Sequence, residues 1–203
     1  VVYIRAGPEI GVAATKTFSS QLVGLNLLIA HLVGERRQPD LVDALRSVPS
    51  DVQAVLDEST AAAVVEEFAD AEAFFFIGRG LDYPVALEGA LKFKEITYEH
   101  AEGFAAGELK HGPLALVTPE TPVFAVVTGG GEAARKTVGN VKEVEARDAP
   151  VVVVTDGTAE APRYADHVLE VPATHDRHAP LLANVQLQLV AYHRAARLGR
   201  SID

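Results

Sequence analysis

A chain of 203 residues, nearly half of them apolar, has the material for one packed domain and part of another, which excludes intrinsic disorder. The formal charge of −10 excludes a broad nucleic-acid-binding surface, and the absence of cysteine excludes disulfides, thiol nucleophiles and thiolate zinc sites. No apolar run approaches the roughly 18 residues of a membrane span.

Six Lys stand beside twelve Arg. An acid-rich, Lys-poor surface suits a salt-rich cytoplasm, and an Arg-favouring base composition gives the same count. Lack of Cys and of a secretory signal fits a cytoplasmic protein, while the start at Val1-Val2 without Met points to a missing N-terminus.

Val1-Val2-Tyr3-Ile4-Arg5 reads as the closing strand of something that begins earlier, and Gly7-Pro8 breaks it. Thr15 to Gly34 is helical, with Leu22, Leu25, Leu28, Ile29 and Leu32 as its expected buried stripe. Pro39-Asp40 opens a second helix carrying Leu41, Leu45 and Val48; another follows from Ser50 to about Glu58, and Thr60 to Phe68 is helical again. One strand and several helices cannot make an α/β domain alone. From Ala73 the rhythm changes. Phe74 to Ile77, Val123 to Val127, Val151 to Thr155 and Val168 to Val171 read as four strands. Helices are expected from about Pro84 to about Ala101, after Gly129-Gly130-Gly131 through about Arg147, and from about Ala179 to Leu198. Continuous apolar strands alternating with helices predict an α/β domain, a parallel sheet covered on both faces. Ligands of such sheets sit beyond the carboxyl ends of the strands, here the loops after Ile77, Val127 and Thr155.

On the helix from Pro84, Glu88, Lys92, Glu95 and Glu99 fall within an arc of roughly 60°. An ordinary solvated face with an i,i+4 ion pair has the same spacing. Lining a cleft at the strand ends, the stripe could instead carry a proton between adjacent carbons of a sugar while the lysine steadies an enolate. Gly107-Glu108-Leu109-Lys110-His111-Gly112-Pro113 reads as an ordered loop whose histidine could exchange protons near neutral pH; a plain surface histidine is the alternative. Gly78-Arg79-Gly80-Leu81-Asp82-Tyr83 opens like a dinucleotide fingerprint but has Tyr where Gly or Ala is needed, so a Rossmann site is rejected. Thr128 to Gly131 could cradle a phosphate or form a plain strand-to-helix turn. His175-Asp176-Arg177-His178 lacks a placed third metal ligand and reads as a surface loop. Ser19-Ser20 belongs to the first helix and has no nucleophile-elbow context.

Longer motifs carry a resemblance. Arg5-Ala6-Gly7-Pro8-Glu9-Ile10-Gly11-Val12-Ala13-Ala14-Thr15-Lys16-Thr17-Phe18 is similar to the segment closing the first sugar-isomerase (SIS) domain of the glutamine–fructose-6-phosphate amidotransferases. Gly78-Arg79-Gly80, Tyr83-Pro84, Ala86 to Lys92, Lys94-Glu95-Ile96, Ala101-Glu102 and Ala105 to Pro113 resemble the start of that family's second SIS domain. The resemblance implies that residues 1–68 close one SIS domain with its strand and connecting helices, and that 69–203 form a second, three-layer SIS domain. It further implies that Glu95 moves the proton between C1 and C2 of fructose-6-phosphate, supported by Lys92 and Glu88. His111 would assist ring opening in the partner subunit's site, and Val12 and Ala13 would lend backbone to the sugar pocket. The family acts as a dimer or larger homo-oligomer and needs no metal or organic cofactor. Its glutaminase domain, its sugar-phosphate loop and its C-terminal Schiff-base lysine are not among these residues, so the chain alone is expected to hold an incomplete site. A stand-alone SIS isomerase or deaminase, or a non-catalytic sugar-phosphate-binding module, would share many of these motifs.

Overall fold

The computed structural model describes residues 1–34 and 39–202. In chain order its helices and strands are α1 (Lys16–Val33), α2 (Pro39–Glu58), α3 (Ala61–Glu67), β1 (Ala73–Gly78), α4 (Asp82–Thr97), β2 (His100–Ala105), β3 (Val123–Val127), α5 (Gly131–Glu145), β4 (Val151–Thr155), β5 (His167–Glu170) and α6 (Ala179–Arg197). All strand pairs are parallel, in the order β2-β1-β3-β4-β5.

Strand pleating divides the core in two. Phe74, Phe76, Phe124, Val126, Val152 and Val154 point to one face and meet α4 and α6 through Phe93, Leu182, Leu187 and Val190. Phe75, Ile77, Ala125, Val127 and Val153 point to the other and meet Val138, Val141 and Val144 of α5. Both faces are covered, which is why these strands are uninterrupted apolar runs. Gly89 lets α4 and α6 come together, because a Cβ there would lie 2.4 Å from Leu187 Cδ1.

Four sequence expectations change. Residues 1–5 form no strand: Val1, Val2 and Tyr3 are exposed, and none of them pairs with the sheet. The stripe expected to be buried on α1 is mostly in solvent, with Leu25, Leu28, Ile29 and Leu32 exposed and Leu22 packed against the core. The two helices expected between Pro39 and Glu58 are one, α2 running straight through Pro49. An internal proline costs about 3 kcal/mol, and burial of Leu41, Val48 and Val55 along one side offsets it. The helix expected to reach Ala101 stops at Thr97, where Tyr98 turns left-handed at φ 60°. The chain then re-enters the sheet as β2, the strand that composition hid: His100-Ala101-Glu102-Gly103-Phe104-Ala105 has no apolar run, and edge pairing with β1 makes it a strand. The expected ordered loop around His111 is built from short 3₁₀ turns at residues 106–111 and 113–116.

Asp82 ties two strand-end loops together. Its Oδ2 accepts the Thr128 N–H at 2.9 Å and its Oδ1 accepts the Thr128 hydroxyl at 2.6 Å. Burial pushes this carboxyl up from its ordinary 3.8 to about 6, against the pull of the Thr128 bonds and with a further push from Asp156. The folded state therefore holds the proton more tightly than the unfolded chain. The stability this contributes is complete below about pH 4 and is lost as pH rises through about 6. Asn at this position can accept from the Thr128 N–H and donate to its hydroxyl, with no charge to bury. Asp82→Asn is expected to raise Tm above the parent's at pH 8, the gap closing toward pH 4. A gap independent of pH would mean that Asp82 does not titrate in this range.

Candidate active site

α4 begins four residues past the end of β1 and runs back alongside the sheet, packed on α6. Its buried side carries Lys92, only 4% exposed. Lys92 Nζ lies 3.6 Å from Glu88 Oε1 and donates a hydrogen bond to Glu95 Oε2. Burial pushes the Glu88 carboxyl up, Lys92 pulls it down and Glu95 pushes it up again. One buried ammonium thus serves two carboxylates, of which Glu88 is pushed by its burial toward holding its proton. The Glu95 side chain, 27% exposed, is the more open of the two.

A cavity of about 440 Å³ opens beside this group. Lys92 and Ile96 of α4 and Gln188 and Ala191 of α6 form one side; Glu9, Gly11, Ala13 and Thr15 form the other. The wall thus joins residues some 80 and 180 positions apart. It lies on the flank of the α4–α6 layer rather than in the crevice at the carboxyl ends of β1, β3 and β4, where the sequence placed the stripe. The reason is helix direction: α4 starts at that crevice and runs back toward the start of β2, so that about three turns on, Lys92 and Glu95 lie toward the amino ends of the strands.

The remaining sequence candidates part company. Ala13 lines the cavity and packs on the α4–α6 core, and Val12 beside it is 80% exposed as a residue. Glu99 leaves the stripe altogether, because the left-handed Tyr98 swings it to Arg194. His111 is exposed at the end of a turn whose Ala106 and Leu109 pack into the α5 side of the sheet, and whose Lys110 pairs with Glu143 of α5 at 2.8 Å. It is therefore separated from Lys92 and Glu95 by the sheet itself.

The weaker candidates resolve too. Of the Thr128–Gly131 turn, the first two N–H groups already donate to Asp82 and Asp156, which makes it a strand-to-helix turn bound to its neighbours. His178 is buried, not on a surface loop; burial first, and His175 next, push its imidazole toward the neutral form. No three His, Cys, Asp or Glu side chains among the described residues are grouped to hold a metal. Sequence reasoning passed over Glu9, which stands in the cavity wall and accepts hydrogen bonds from Thr15 and Thr17. A lone carboxylate beside a Gly-rich turn gave no periodic signal to find it by.

Comparison with known proteins decides the family. The SIS domain model matches residues 67–198. The chain belongs to the SIS domain family. Glutamine–fructose-6-phosphate aminotransferase (isomerizing) of Methanosarcina acetivorans is 52% identical over 211 residues, covering all of this chain and 34% of that protein. The protein of the same name from Halobacterium salinarum is 51% identical over 209 residues with the same coverage. Among solved structures, the C-terminal domain of glucosamine-fructose-6-phosphate aminotransferase from Francisella tularensis superposes with a TM-score of 0.84 at 39% identity, over 98% of this chain and 58% of that one. The chain spans about a third of the length of the curated relatives it matches. The SIS sheet here is the five-stranded parallel one, with β2 on one edge and β5 on the other. No helix among the described residues is long and apolar enough to cross a membrane.

Proposed function

We propose that this SIS chain is the isomerase portion of a glutamine–fructose-6-phosphate aminotransferase, converting fructose-6-phosphate to glucosamine-6-phosphate in the cytoplasm as a dimer or larger homo-oligomer. The observation that carries the reading is the Glu88–Lys92–Glu95 group beside a cavity walled by residues 9–15. In this role Glu95 takes a proton from C1 of the open-chain sugar, leaving an enol-type intermediate, and returns it to C2 to give the aldose. Lys92, held by two carboxylates in a dry setting, offsets the negative charge that develops on the sugar as the C1 proton leaves. Glu88 keeps Lys92 in place from the side remote from Glu95. Ammonia condenses first with the C2 carbonyl, whose oxygen leaves as water, so the C2 that receives the proton already carries the nitrogen. Residues 1–68 are read as the end of a preceding SIS domain, and the exposed apolar face of α1 fits burial against further protein.

His111 supports the oligomeric part of the reading. Separated by the sheet from its own chain's Glu95, it is free to reach a neighbouring subunit's cavity, as ring opening there requires. Subunit mixing tests this. Full-length enzymes carrying His111→Ala or Glu95→Gln are each expected to be nearly inactive. Co-assembled hetero-dimers are expected to recover about half the parent activity, since one of their two sites then has both residues intact. Recovery no greater than the sum of the two singles would place His111 outside the partner's site.

A further inference from the structure

We infer that Glu9 is a positioning residue: its carboxylate clamps the start of α1 and thereby fixes the turn of residues 10–14 that walls the cavity beside Lys92. The inference rests on reading that cavity as the sugar-phosphate site.

Residues 1–15 belong to no helix or strand, so no backbone ladder holds them. Apolar anchoring is also slight there: Ile10 is 88% and Val12 80% exposed, and Ala13 alone of residues 10–14 packs against the α4–α6 core. What spans the turn is Glu9. Its Oε1 accepts the Thr15 hydroxyl at 3.0 Å, and its Oε2 accepts both the Thr17 N–H at 3.1 Å and the Thr17 hydroxyl at 2.5 Å.

The bond to the Thr17 N–H has a specific cause. Thr17 is the second residue of α1, where backbone N–H groups have no intrahelical partner. Thr15, in the capping position, makes no side-chain cap bond of its own. Glu9 caps the helix from eight residues upstream instead, its negative charge facing the positive end of the helix dipole. The Thr17 hydroxyl foremost, helped by the Thr17 and Thr15 bonds against some burial, holds this carboxyl down at about 2. The clamp is therefore charged throughout the neutral range. It closes residues 10–14 into a loop whose two ends are one capped helix start, and Gly11 and Ala13 are presented to the cavity from that loop. Ordering the loop in advance removes a cost that substrate binding would otherwise bear. The side chain acts through the turn, so its loss should weaken substrate binding more than it slows proton transfer.

Steady-state kinetics of the full-length enzyme with fructose-6-phosphate test this. Glu9→Gln and Thr17→Val are each expected to raise KM about tenfold while kcat stays within about threefold, the signature of lost uniform binding. Thr17→Ser keeps the hydroxyl and is expected to restore the parent KM, and the Glu9→Gln, Thr17→Val double variant to be no worse than the poorer single. The KM increase should be the same at pH 6 and pH 8, because the carboxyl stays ionised at both. The Thr17 pair retains Glu9 itself, so it distinguishes a clamp from direct contact between Glu9 and the sugar. The inference is overturned if KM stays within twofold in both single variants, if Thr17→Ser is as impaired as Thr17→Val, or if the loss is in kcat alone. Glu95→Gln in the same preparation separates the clamp from the cavity reading beneath it: an active Glu95→Gln enzyme removes the cavity reading, whereas an inactive one beside an unchanged Glu9→Gln KM removes only the clamp.

Discussion

Glu95→Gln in the full-length enzyme is expected to lower kcat for isomerisation at least about a hundredfold, the lower range for a general acid–base residue. Gln has the shape of Glu and can still accept a hydrogen bond from Lys92, so the local packing survives while the base does not. The residue is suited to the task by its setting: Lys92 beside it is buried, and Glu88 on the far side of that lysine is pushed toward its protonated form by burial. On the proposed reading, a proton taken by Glu95 would enter a group in which two carboxylates share one ammonium. KM for the sugar phosphate should change by less than about threefold, because in the proposed role the substituted atom would serve a proton transfer and not phosphate binding. Lys94→Ala is the control. Lys94 is exposed one residue away on the helix, about 100° around from Glu95, and should leave activity intact. A Glu95→Gln enzyme with full isomerase activity, or a Lys94→Ala enzyme without any, would place the catalytic face elsewhere on α4.

Arg194→Ala is expected to be the most damaging single change to stability. Arg194 is 1% exposed, with its guanidinium stacked over Phe74 at 5.2 Å. Nε donates to Glu99 Oε2 at 2.7 Å, and Nη2 donates to Glu99 Oε1 and to the Ala71 carbonyl at 3.2 Å. Nη1 donates to the carbonyls of Phe68 at 2.9 Å and Ala69 at 3.2 Å. One side chain of α6 thus holds the turn after α4 and the link between α3 and β1. Truncation leaves a half-buried carboxylate and three carbonyls without this donor. Removing one partner of such a buried pair costs about 3–5 kcal/mol, and at about 2–4 °C per kcal/mol for a domain of this size Tm should fall by about 10 °C. Arg194→Lys should recover only part of this, because a single ammonium cannot reproduce the planar fork. Arg197→Ala is the reference, since its pair with Glu66 at 2.8 Å is on the surface and worth under about 1 kcal/mol. Denaturant unfolding that finds Arg194→Ala within about 1 kcal/mol of the parent would show the carbonyls finding other donors.

Arg194 also marks where local reading ends. Phe74-Phe75-Phe76-Ile77, Val123 to Val127 and Val151 to Thr155 declare themselves as strands because a parallel strand covered on both faces needs an apolar residue at every position. The 88–92–95 spacing likewise puts Glu88, Lys92 and Glu95 on one side of a helix without help from the rest of the chain, because helix geometry is local. Neighbouring Glu99 shares that spacing and goes elsewhere, since whether a helix continues past Tyr98 depends on what waits to receive the chain. What waits is the free edge of β1, and pairing there turns a mixed run of residues into β2. Continuity of α2 across Pro49, exposure of the α1 stripe and separation of His111 from Glu95 by the sheet are of the same kind. Sequence by itself determined which segments are apolar and with what period, and so the α/β class and the grouping of the two glutamates with the lysine. Only the tertiary structure decided where that group faces and that residues 9–15 close a cavity over it, because strand order and helix direction bring together segments whose separation along the chain leaves no local periodic trace.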